Sequence, residues 1–146
     1  MEALKVKRVS DKAILPQRAT EGSAGMDLSA CLEEPVTIAP GERVRIPTGI
    51  AIGLPSKETV GLVYARSGMA VRDGIALTNG VGVIDSDYTG EIQVGLINLS
   101  KEPYTINPGQ RIAQLVVAPI LLPAIEETED LTETQRGSGG FGSTGR

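Results

Sequence analysis

The stretch Glu91-Ile92-Gln93-Val94-Gly95-Leu96 places Ile92, Val94 and Leu96 on one face of an extended chain. Such alternation is typical of a β-strand that buries one face. The abundance of Val, Ile and Thr, which fit a pleated surface, also favours strands. Shorter runs of the same alternation lie elsewhere in the chain, at residues 4–7, 43–46 and 50–52.

Turn-forming pairs separate these runs at short intervals, as at Pro40-Gly41, Asp73-Gly74 and Pro108-Gly109. In a type II turn, proline suits the second position and glycine permits the positive φ of the third. No window has the apolar period of a helix, and only residues 69–72 are expected to form a short helical turn. The sequence therefore predicts an all-β fold, as an antiparallel sandwich, a jelly roll or a small barrel.

The composition predicts one domain with an aliphatic core. The chain has 146 residues, 40% of them hydrophobic, and a chain of this length can bury about two-thirds of its unfolded surface. Only 3% of the residues are aromatic, so Val, Ile, Leu and Ala must fill the core. The aromatic residues are Tyr64, Tyr88, Tyr104 and Phe141.

The ionisable residues exclude several classes of site. Because the chain has no histidine, it has no Ser-His-Asp triad and no zinc site that uses histidine. The single cysteine, Cys31, cannot form a disulfide within the chain, and its apolar neighbourhood predicts a buried, unreactive thiol. The candidate general bases at neutral pH are therefore carboxylates, and any metal should be a hard ion bound through oxygen.

Charge and hydropathy disfavour two kinds of partner. The net charge is −4 and no basic block is present, which argues against non-specific binding to nucleic acid. No stretch approaches the ~20 apolar residues of a membrane span, and residues 1–10 have no apolar run of signal-peptide length. With one cysteine, the expected location is the cytoplasm or another reducing intracellular compartment.

The last part of the chain changes in composition, which predicts a packed domain over residues 1–123 and a flexible C-terminal arm over residues 124–146. An acidic connector at residues 126–133 precedes the segment RGSGGFGSTGR at residues 136–146. Its glycine, hydroxyl and arginine groups suit a phosphate ligand, and Phe141 is available to stack on a flat group. We interpret residues 136–145 as a lid that orders on a phosphorylated ligand; the alternative is a plain linker.

Two segments offer groups that could act on a ligand. Asp27 lies in the otherwise apolar run AGMDLSA, so it should either pair with an arginine or stay exposed; the segment alone favours a solvated strand face. Arg66, Ser67 and Gly68 follow a strand predicted at residues 60–64. They offer a guanidinium fork, a hydroxyl and an accessible N–H to phosphate, although an ordinary polar turn is the alternative.

A third segment, NGVGVIDSDYTGEI at residues 79–92, contains two aspartates and Tyr88. Asn79-Gly80 by itself is best interpreted as a type I′ hairpin turn. Asp85 and Asp87 would share one face of an extended chain. An aspartate there is ionised at pH 7 and can accept a proton from an activated water. The alternative is that both carboxylates cap the turn that follows them.

A fourth segment, GQRIAQL at residues 109–115, begins at the Pro108-Gly109 turn. Arg111 is a natural partner for a carboxylate, and Gln114 needs hydrogen bonds if it is buried in an apolar strand. Strand alternation predicts that Arg111 shares one face with Ala113, and that the other face carries Ile112, Gln114 and Val116.

Taken together, these groups suggest a site for a nucleoside polyphosphate: carboxylates for a hard cation and a base, arginines for phosphates, an amide for a base edge, and aromatic rings. In the same order, the five segments resemble the five motifs of the homotrimeric dUTPases, the deoxyuridine triphosphate nucleotidohydrolases. The resemblance extends from about residue 4 to the C-terminus.

The resemblance implies a jelly-roll-like, distorted antiparallel β-barrel over residues 1–123 that assembles as a homotrimer. Active sites would lie between the chains, each built from all of them. The reaction would convert dUTP to dUMP and pyrophosphate with Mg²⁺. It would supply dUMP for thymidylate synthesis and keep uracil out of DNA.

The resemblance also implies roles for individual residues. Asp85 would orient and deprotonate the water that attacks the α-phosphorus, and Tyr88 would pack on the deoxyribose and exclude a 2′-hydroxyl. Gln114 would position the phosphate chain and the water. Uracil would be bound by Asn79 and by backbone groups of the same hairpin, at Gly82, Val83 and Ile84.

The remaining roles concern the phosphates, the metal and the lid. Asp27 would act on Mg²⁺ through water, or in an interface network with Arg111 and Asp87. Phe141 would stack over uracil, with Gly140 and Gly142 beside it. The phosphates would be bound by Arg66, Ser67, Gly68, Arg136, Ser143 and Thr144.

Three alternatives stay open at this point. A related dCTP deaminase, or its bifunctional deaminase–dUTPase form, would use a glutamate close to the Arg-Ser-Gly segment, where this chain has Met69 to Asp73 and no glutamate. A catalytically silent nucleotide-binding module would lack Asp85 or the arm residues, which are present. A generic β-sandwich adhesion module does not account for the arm or for Asp85 and Asp87 together.

Overall fold

The computed structural model describes residues 1–142 and residue 145, and these confirm the all-β prediction, with 38% strand and 3% helix. A single short helix, α1, covers Ser67–Val71, close to the predicted turn at residues 69–72. The strands are β1 (Lys5–Arg8), β2 (Met26–Ser29), β3 (Val36–Ile38), β4 (Arg43–Gly53), β5 (Thr59–Tyr64), β6 (Ile75–Leu77), β7 (Gly82–Ile84), β8 (Glu91–Asn98), β9 (Tyr104–Ile106) and β10 (Arg111–Pro119).

Two four-stranded antiparallel sheets form the jelly-roll-like fold. The first has the strand order β1-β4-β8-β6 and the second β2-β10-β5-β7, while β3 and β9 form a separate pair. The alternating stretch at residues 91–96 lies in β8, between β4 and β6, and Ile92, Val94 and Leu96 are buried as predicted. The strand pattern therefore identified a central strand of the first sheet.

The core lies between the two sheets and is almost entirely aliphatic. Ile46, Ile50 and Leu96 from the first sheet pack in one cluster with Leu28 and Leu115 from the second. Each of these side chains is at most 1% exposed. Burial of one such side chain stabilises the folded state by about 1.5–3 kcal/mol, so an aliphatic core holds the sheets together without aromatic residues.

Strand β4 joins two runs that alternate separately in the sequence, residues 43–46 and 50–52. Its register against β8 shifts between Pro47 and Ala51, so the strand is irregular there but does not end. Gly49, inside this irregular part, has φ +70°, and a Cβ there would lie 2.7 Å from the Cys31 Sγ. Cys31 is partly exposed and not fully buried as predicted, because β2 ends at Ser29 and its alternation stops.

The two Pro-Gly pairs have the backbone expected of a type II turn, with φ of +80° at Gly41 and +78° at Gly109. Gly74 also has positive φ, +73°, but it lies just beyond the end of α1, where its N–H donates to the Ala70 carbonyl. The type I′ hairpin turn expected at Asn79-Gly80 is wrong. A type I′ turn needs positive φ at both central residues, and among the described residues outside glycine only Phe141 has it. The chain crosses here from the first sheet to the second, since β6 and β7 belong to different sheets.

The last strand, β10, ends at Pro119, and the Ile120 N–H still donates to the Glu58 carbonyl at 2.8 Å. From residue 121 to residue 142 the described chain contains neither helix nor strand. None of the described helical residues forms a segment long and apolar enough to cross a membrane.

Candidate active site

A cavity of about 420 Å³ opens where β7 and β8 separate. These strands are neighbours in the chain but belong to different sheets, so they do not pair with each other. The segment that links them, residues 85–90, therefore lies at the mouth of the cavity between the sheets. Six predicted substrate or catalytic residues line it: Asn79, Gly82, Val83, Ile84, Asp85 and Tyr88.

The two aspartates of this segment do not share a face of an extended chain as predicted. Strand β7 ends at Ile84, and a turn follows in which the Tyr88 N–H donates to the Asp85 carbonyl at 3.1 Å. The turn separates the carboxylates: both are exposed, but Asp85 lines the cavity and Asp87 does not. Within the described residues neither carboxylate makes the hydrogen bond that a capping role would require.

Tyr88 is held in place at the hydroxyl end of its side chain. Its hydroxyl donates to the Glu91 carbonyl at 2.8 Å, while 47% of the residue stays exposed towards the cavity. The ring occupies the space beside Gly90, where an added Cβ would lie 2.6 Å from the hydroxyl oxygen. Glycine at position 90 is therefore needed for this ring position.

The cavity also contains polar residues that the sequence analysis missed. Arg45 reaches it from β4, and Glu91 and Gln93 reach it from β8. In the sequence, only the polar positions of the alternating stretch at residues 91–96 could have indicated that Glu91 and Gln93 line a cavity. Alternation alone does not distinguish a solvated face from the wall of a cavity.

A second cavity, of about 580 Å³, contains the other predicted group. Arg66 precedes α1, and Ser67 and Gly68 are the first two residues of this short helix. The buried Met69 fixes the helix against the core. A Cβ added at Gly68 would meet nothing within 4 Å, so packing inside this chain does not require glycine there. Asp27 and Gln114 complete the predicted residues of the lining, together with Arg111.

Asp27 joins two arginines in this second cavity. Its Oδ1 lies 3.3 Å from the Arg66 Nε and its Oδ2 lies 3.5 Å from an Arg111 guanidinium nitrogen. The Asp27 side chain is 19% exposed, so the paired arrangement is observed and not the solvated face favoured by the segment alone. Two guanidinium groups against one carboxylate leave one net positive charge, which suits an anionic ligand.

A β-bulge brings Arg111 and Gln114 to the same face, which corrects the predicted alternation. Arg111 pairs with Ser29 and Ala113 pairs with Leu28, so β10 has one extra residue against β2 at this point. Gln114 then pairs with Asp27, which shares a face with Ser29. The extra residue, Ile112, is buried, and so is its neighbour Ala113. In a regular strand these two consecutive side chains would point to opposite faces.

Gln114 is fixed between two backbone segments. Its Nε2 donates to the Ala65 carbonyl at 2.9 Å, which meets the predicted need for a hydrogen bond. On the other side it packs on Gly25, where an added Cβ would lie 2.3 Å from the Gln114 Oε1. Glycine at position 25 therefore leaves room for the Gln114 amide.

We expect Gly25→Ala to displace the Gln114 amide and to lower kcat/KM by roughly tenfold to a hundredfold. The added methyl group breaks the hydrogen bond to Ala65 and misplaces a residue that lines the second cavity. The variant should also lose on the order of 1–3 kcal/mol of stability. Thermal unfolding and steady-state kinetics measure both effects.

Gly22→Ala is the matched control, because a Cβ there would meet nothing within 4 Å. It should leave both quantities unchanged. Parent-like kinetics for Gly25→Ala would show that the position of the Gln114 amide does not matter for turnover.

Arg72 lies at the edge of the second cavity and is paired with its neighbour. Its Nε donates to the Asp73 carboxylate at 3.0 Å, and a second bond from the same guanidinium measures 3.1 Å. The hydrogen bonds from Arg72 lower the pKa of Asp73 and raise the pKa of Arg72. Arg72 is thus paired with a carboxylate, as Arg66 and Arg111 are paired with Asp27.

The two cavities share no lining residue, so this chain alone does not show them as one site. The arm residues Arg136, Phe141 and Gly142 are exposed, and hydrogen bonds there are local, such as the Gly139 N–H to the Arg136 carbonyl at 3.2 Å. Gly140 is partly exposed. Two further predicted phosphate ligands, Ser143 and Thr144, lie outside the described residues.

No cluster of three or more His, Cys, Asp or Glu side chains is placed to hold a metal ion within residues 1–142. Both oxygens of Asp27 already pair with arginines, so this carboxylate is a poor direct ligand. The chemistry of the donors present fits a Mg²⁺ ion that arrives with a triphosphate and keeps most of its waters, as this ion usually does.

Comparison with known proteins identifies the family. The dUTPase family model matches residues 11–145. The chain is 52% identical to the deoxyuridine 5'-triphosphate nucleotidohydrolase of Desulfitobacterium hafniense (strain DSM 10664 / DCB-2), with 99% of each chain covered. It is 51% identical to the protein of the same description from Coxiella burnetii (strain Dugway 5J108-111), with 96% of this chain and 92% of that one covered.

Solved structures support the same relation. The Staphylococcus bacteriophage 80alpha dUTPase with dUPNHPP matches with a TM-score of 0.89 and 30% identity over 100% of both chains. A mutant dUTPase from phage phi11 of S. aureus, described with a structural Mg(II) ion, matches with a TM-score of 0.81 and 26% identity. That match covers 90% of this chain and 100% of the phage protein. By sequence, motif order and fold, this chain belongs to the dUTPase family.

Proposed function

We propose that the protein hydrolyses dUTP to dUMP and pyrophosphate, by attack of a water activated by Asp85 on the α-phosphorus. The observation that carries the proposal is the position of the Asp85 carboxylate. It lies at the edge of a cavity that Asn79, Tyr88 and an exposed strand edge also line. A base placed beside the sugar end of a bound nucleotide is within reach of the first phosphate and not of the last.

The edge of β7 supports recognition of uracil. Within the described sheet β7 is the last strand and pairs only with β5, through Gly61↔Ile84, Leu62↔Val83 and Val63↔Gly82. The backbone N–H and C=O groups on its other edge are therefore available to a ligand. Uracil presents alternating acceptors and a donor, which such an edge and the Asn79 amide can match.

The second cavity is the proposed position of the phosphates. Arg66, Ser67 and Gly68 would bind phosphate oxygens, and Gln114 would orient the chain of phosphates and the water. Asp27 pairs with both Arg66 and Arg111 and so fixes their positions, which preorganises the cavity for negative charge. From the arm, Arg136, Ser143 and Thr144 would add donors, and Phe141, flanked by Gly140 and Gly142, would cover the base.

The proposed step is an in-line substitution at phosphorus. The Asp85 carboxylate accepts a proton as the water oxygen bonds to the α-phosphorus, and the bond to the bridging oxygen breaks, which releases pyrophosphate. When bound, Mg²⁺ would supply positive charge against the charge that develops on the phosphates, with Asp27 in reach of it through water. Closure of the arm would exclude bulk water from the step.

Parallel assays on dUTP, dCTP, dTTP and UTP with Mg²⁺ test this function. We expect dUMP and pyrophosphate from dUTP, and rates lower by orders of magnitude for the other three nucleotides, because unmatched polar groups are rejected strongly. Release of ammonia from dCTP would assign the protein to the deaminase branch. Binding of dUTP without turnover would make it a silent nucleotide-binding module.

A homotrimer with shared active sites is also part of the proposal. The separation of the Asp85 cavity from the Arg66 cavity supports it, since a single nucleotide must contact both groups. The test is co-expression of two inactive variants, Asp85→Asn and Arg66→Ala. If the two groups come from different chains, about a quarter of all sites in randomly assembled trimers regain both groups, and activity returns.

The matched control for this mixing test is a variant that carries both substitutions in one chain, co-expressed with the parent protein. It shows how much activity remains when parent chains are merely diluted by inactive chains, so that complementation between the two single variants can be recognised. Mixtures of the two single variants with no more activity than either alone would show that one chain supplies both groups. The oligomer is measured independently by light scattering.

The proposed reaction also has a place in the cell. The product, dUMP, is the precursor for thymidylate synthesis, and removal of dUTP keeps uracil out of DNA. Because the substrate is an intracellular nucleotide, we propose the cytoplasm or another reducing compartment as the location.

A further inference from the structure

The irregular part of β4 places one backbone N–H against Glu91, a residue that lines the first cavity. Pro47 pairs with Gln93 and Ala51 pairs with Glu91, so β4 has two more residues than β8 over this interval. Gly49 lies among these extra residues with φ +70°, and its N–H donates to the Glu91 Oε2 at 2.8 Å. Packing against Cys31 and Ala13 keeps Gly49 in this position, since an added Cβ would lie within 2.9 Å of both.

The backbone of Glu91 holds Tyr88. The Glu91 carbonyl accepts the hydrogen bond of the Tyr88 hydroxyl at 2.8 Å. One residue therefore connects the bulge of β4, through its side chain, to the tip of the tyrosine ring, through its main chain. A second bond fixes the next residue to the same bulge, from the buried Thr48 Oγ1 to the Ile92 carbonyl at 2.6 Å.

We propose that Glu91 is a positioning residue for the selection of deoxyribose over ribose. This inference rests on the proposed function, in which Tyr88 packs on the sugar and excludes a 2′-hydroxyl. A ring excludes an added hydroxyl only if it does not yield. The Glu91 carboxylate fixes the position of the main chain to which the Tyr88 hydroxyl is hydrogen-bonded. Glu91 also lines the cavity itself.

A positioning role for Glu91 changes the preference for dUTP over UTP, whereas a merely structural role changes only the overall turnover. Loss of the Glu91–Gly49 bond frees residues 88–91 to shift, so the ring gives way and UTP is admitted. A hydrogen bond to a charged group contributes about tenfold or more to an equilibrium, which sets the size of the expected change. A general loss of stability would lower turnover of both nucleotides and leave their ratio unchanged.

The test compares kcat/KM for dUTP with kcat/KM for UTP in the full-length protein and in Glu91→Ala. We expect this ratio to fall by about tenfold in the variant, mainly through a lower KM for UTP. Glu91→Gln retains an oxygen that accepts the Gly49 N–H, so it should keep most of the parent ratio.

Thr37→Ala is the matched control. It removes a hydrogen bond of 2.9 Å to Thr105 in the separate two-stranded sheet, so it should lower stability without changing the ratio. A double-mutant cycle with Tyr88→Phe adds a second readout. If Glu91 acts through the tyrosine hydroxyl, the two substitutions together should change the ratio by less than the product of their separate effects.

An unchanged ratio in Glu91→Ala would overturn the inference, as would effects that multiply independently in the cycle. If Glu91→Ala does not fold, Tyr88→Phe alone decides, since an unchanged ratio there means that the bond to the Glu91 carbonyl does not position the ring. Failure of the parent protein to prefer dUTP over UTP would instead contradict the proposed function.

Discussion

Asp85→Asn should lower kcat for dUTP by a factor on the order of 10²–10⁴, because an asparagine cannot accept the proton of the attacking water. The substitution keeps the size and shape of the side chain at the cavity edge. Binding of a non-hydrolysable imido analogue of dUTP should therefore stay close to that of the parent. Steady-state kinetics and calorimetric titration measure the two quantities separately.

Substitutions of two other aspartates are the controls for this prediction. Asp11→Asn carries the same change at an exposed turn far along the chain from the cavity residues, and it should leave kcat unchanged. Asp87→Asn should cost much less than Asp85→Asn, because Asp87 lies outside the cavity lining. Turnover near the parent rate in Asp85→Asn would remove Asp85 as the base. Equal losses at both positions would show that the turn geometry does not discriminate between them.

Removal of residues 136–146 should lower kcat/KM for dUTP by roughly a hundredfold or more, with little change in thermal unfolding. The charge-assisted hydrogen bond proposed for Arg136 would by itself contribute about 1.5–3 kcal/mol, and the stacking proposed for Phe141 would be lost with it. Stability should hold because Arg136 and Phe141 are exposed and the last strand ends at Pro119.

A chain in which residues 136–146 are replaced by a Gly/Ser segment of equal length is the control. It keeps the length of the arm and loses its two arginines, its phenylalanine and its threonine, so it should be as impaired as the truncated protein. If it recovers the parent activity, the chemistry of the arm does not matter. If truncation lowers the unfolding temperature or dissociates the oligomer, the arm is part of the folded structure.

The local patterns of the sequence were sufficient for most of the strands. The alternation at residues 91–96 predicted the central strand β8, and the Pro-Gly pairs predicted the positive φ of Gly41 and Gly109. These features depend on residues close together in the chain. The grouping of the site residues came from the resemblance of five segments to a family, and not from periodicity.

The features that periodicity missed are long-range. The bulge at Ile112, which turns Arg111 and Gln114 to one face, arises from pairing with β2, more than 80 residues earlier in the chain. Regular alternation cannot anticipate an extra residue that a partner strand imposes. The assignment of β7 and β8 to different sheets is of the same kind, and it is what opens the cavity beside Asp85.

The hydrogen bond between the Gly49 N–H and the Glu91 carboxylate also depends on long-range pairing, here of β4 with β8. In the sequence Glu91 is only a polar position of an alternating strand. Its role becomes visible when the irregular register of β4 places the Gly49 N–H opposite its carboxylate. The need for glycine at position 25 likewise comes from the fold, because the Gln114 amide lies beside it, and no turn pattern in the sequence indicates this contact.

The most direct test of the account is to follow oxygen from ¹⁸O-labelled water into the products of dUTP hydrolysis. Attack at the α-phosphorus, as proposed for a water held by Asp85, places the label in the phosphate of dUMP and leaves pyrophosphate unlabelled. Phosphorus NMR resolves the two by their isotope shifts. Label in pyrophosphate would mean attack at the β-phosphorus, and release of orthophosphate and dUDP would mean attack at the γ-phosphorus; either result would contradict the role assigned to Asp85.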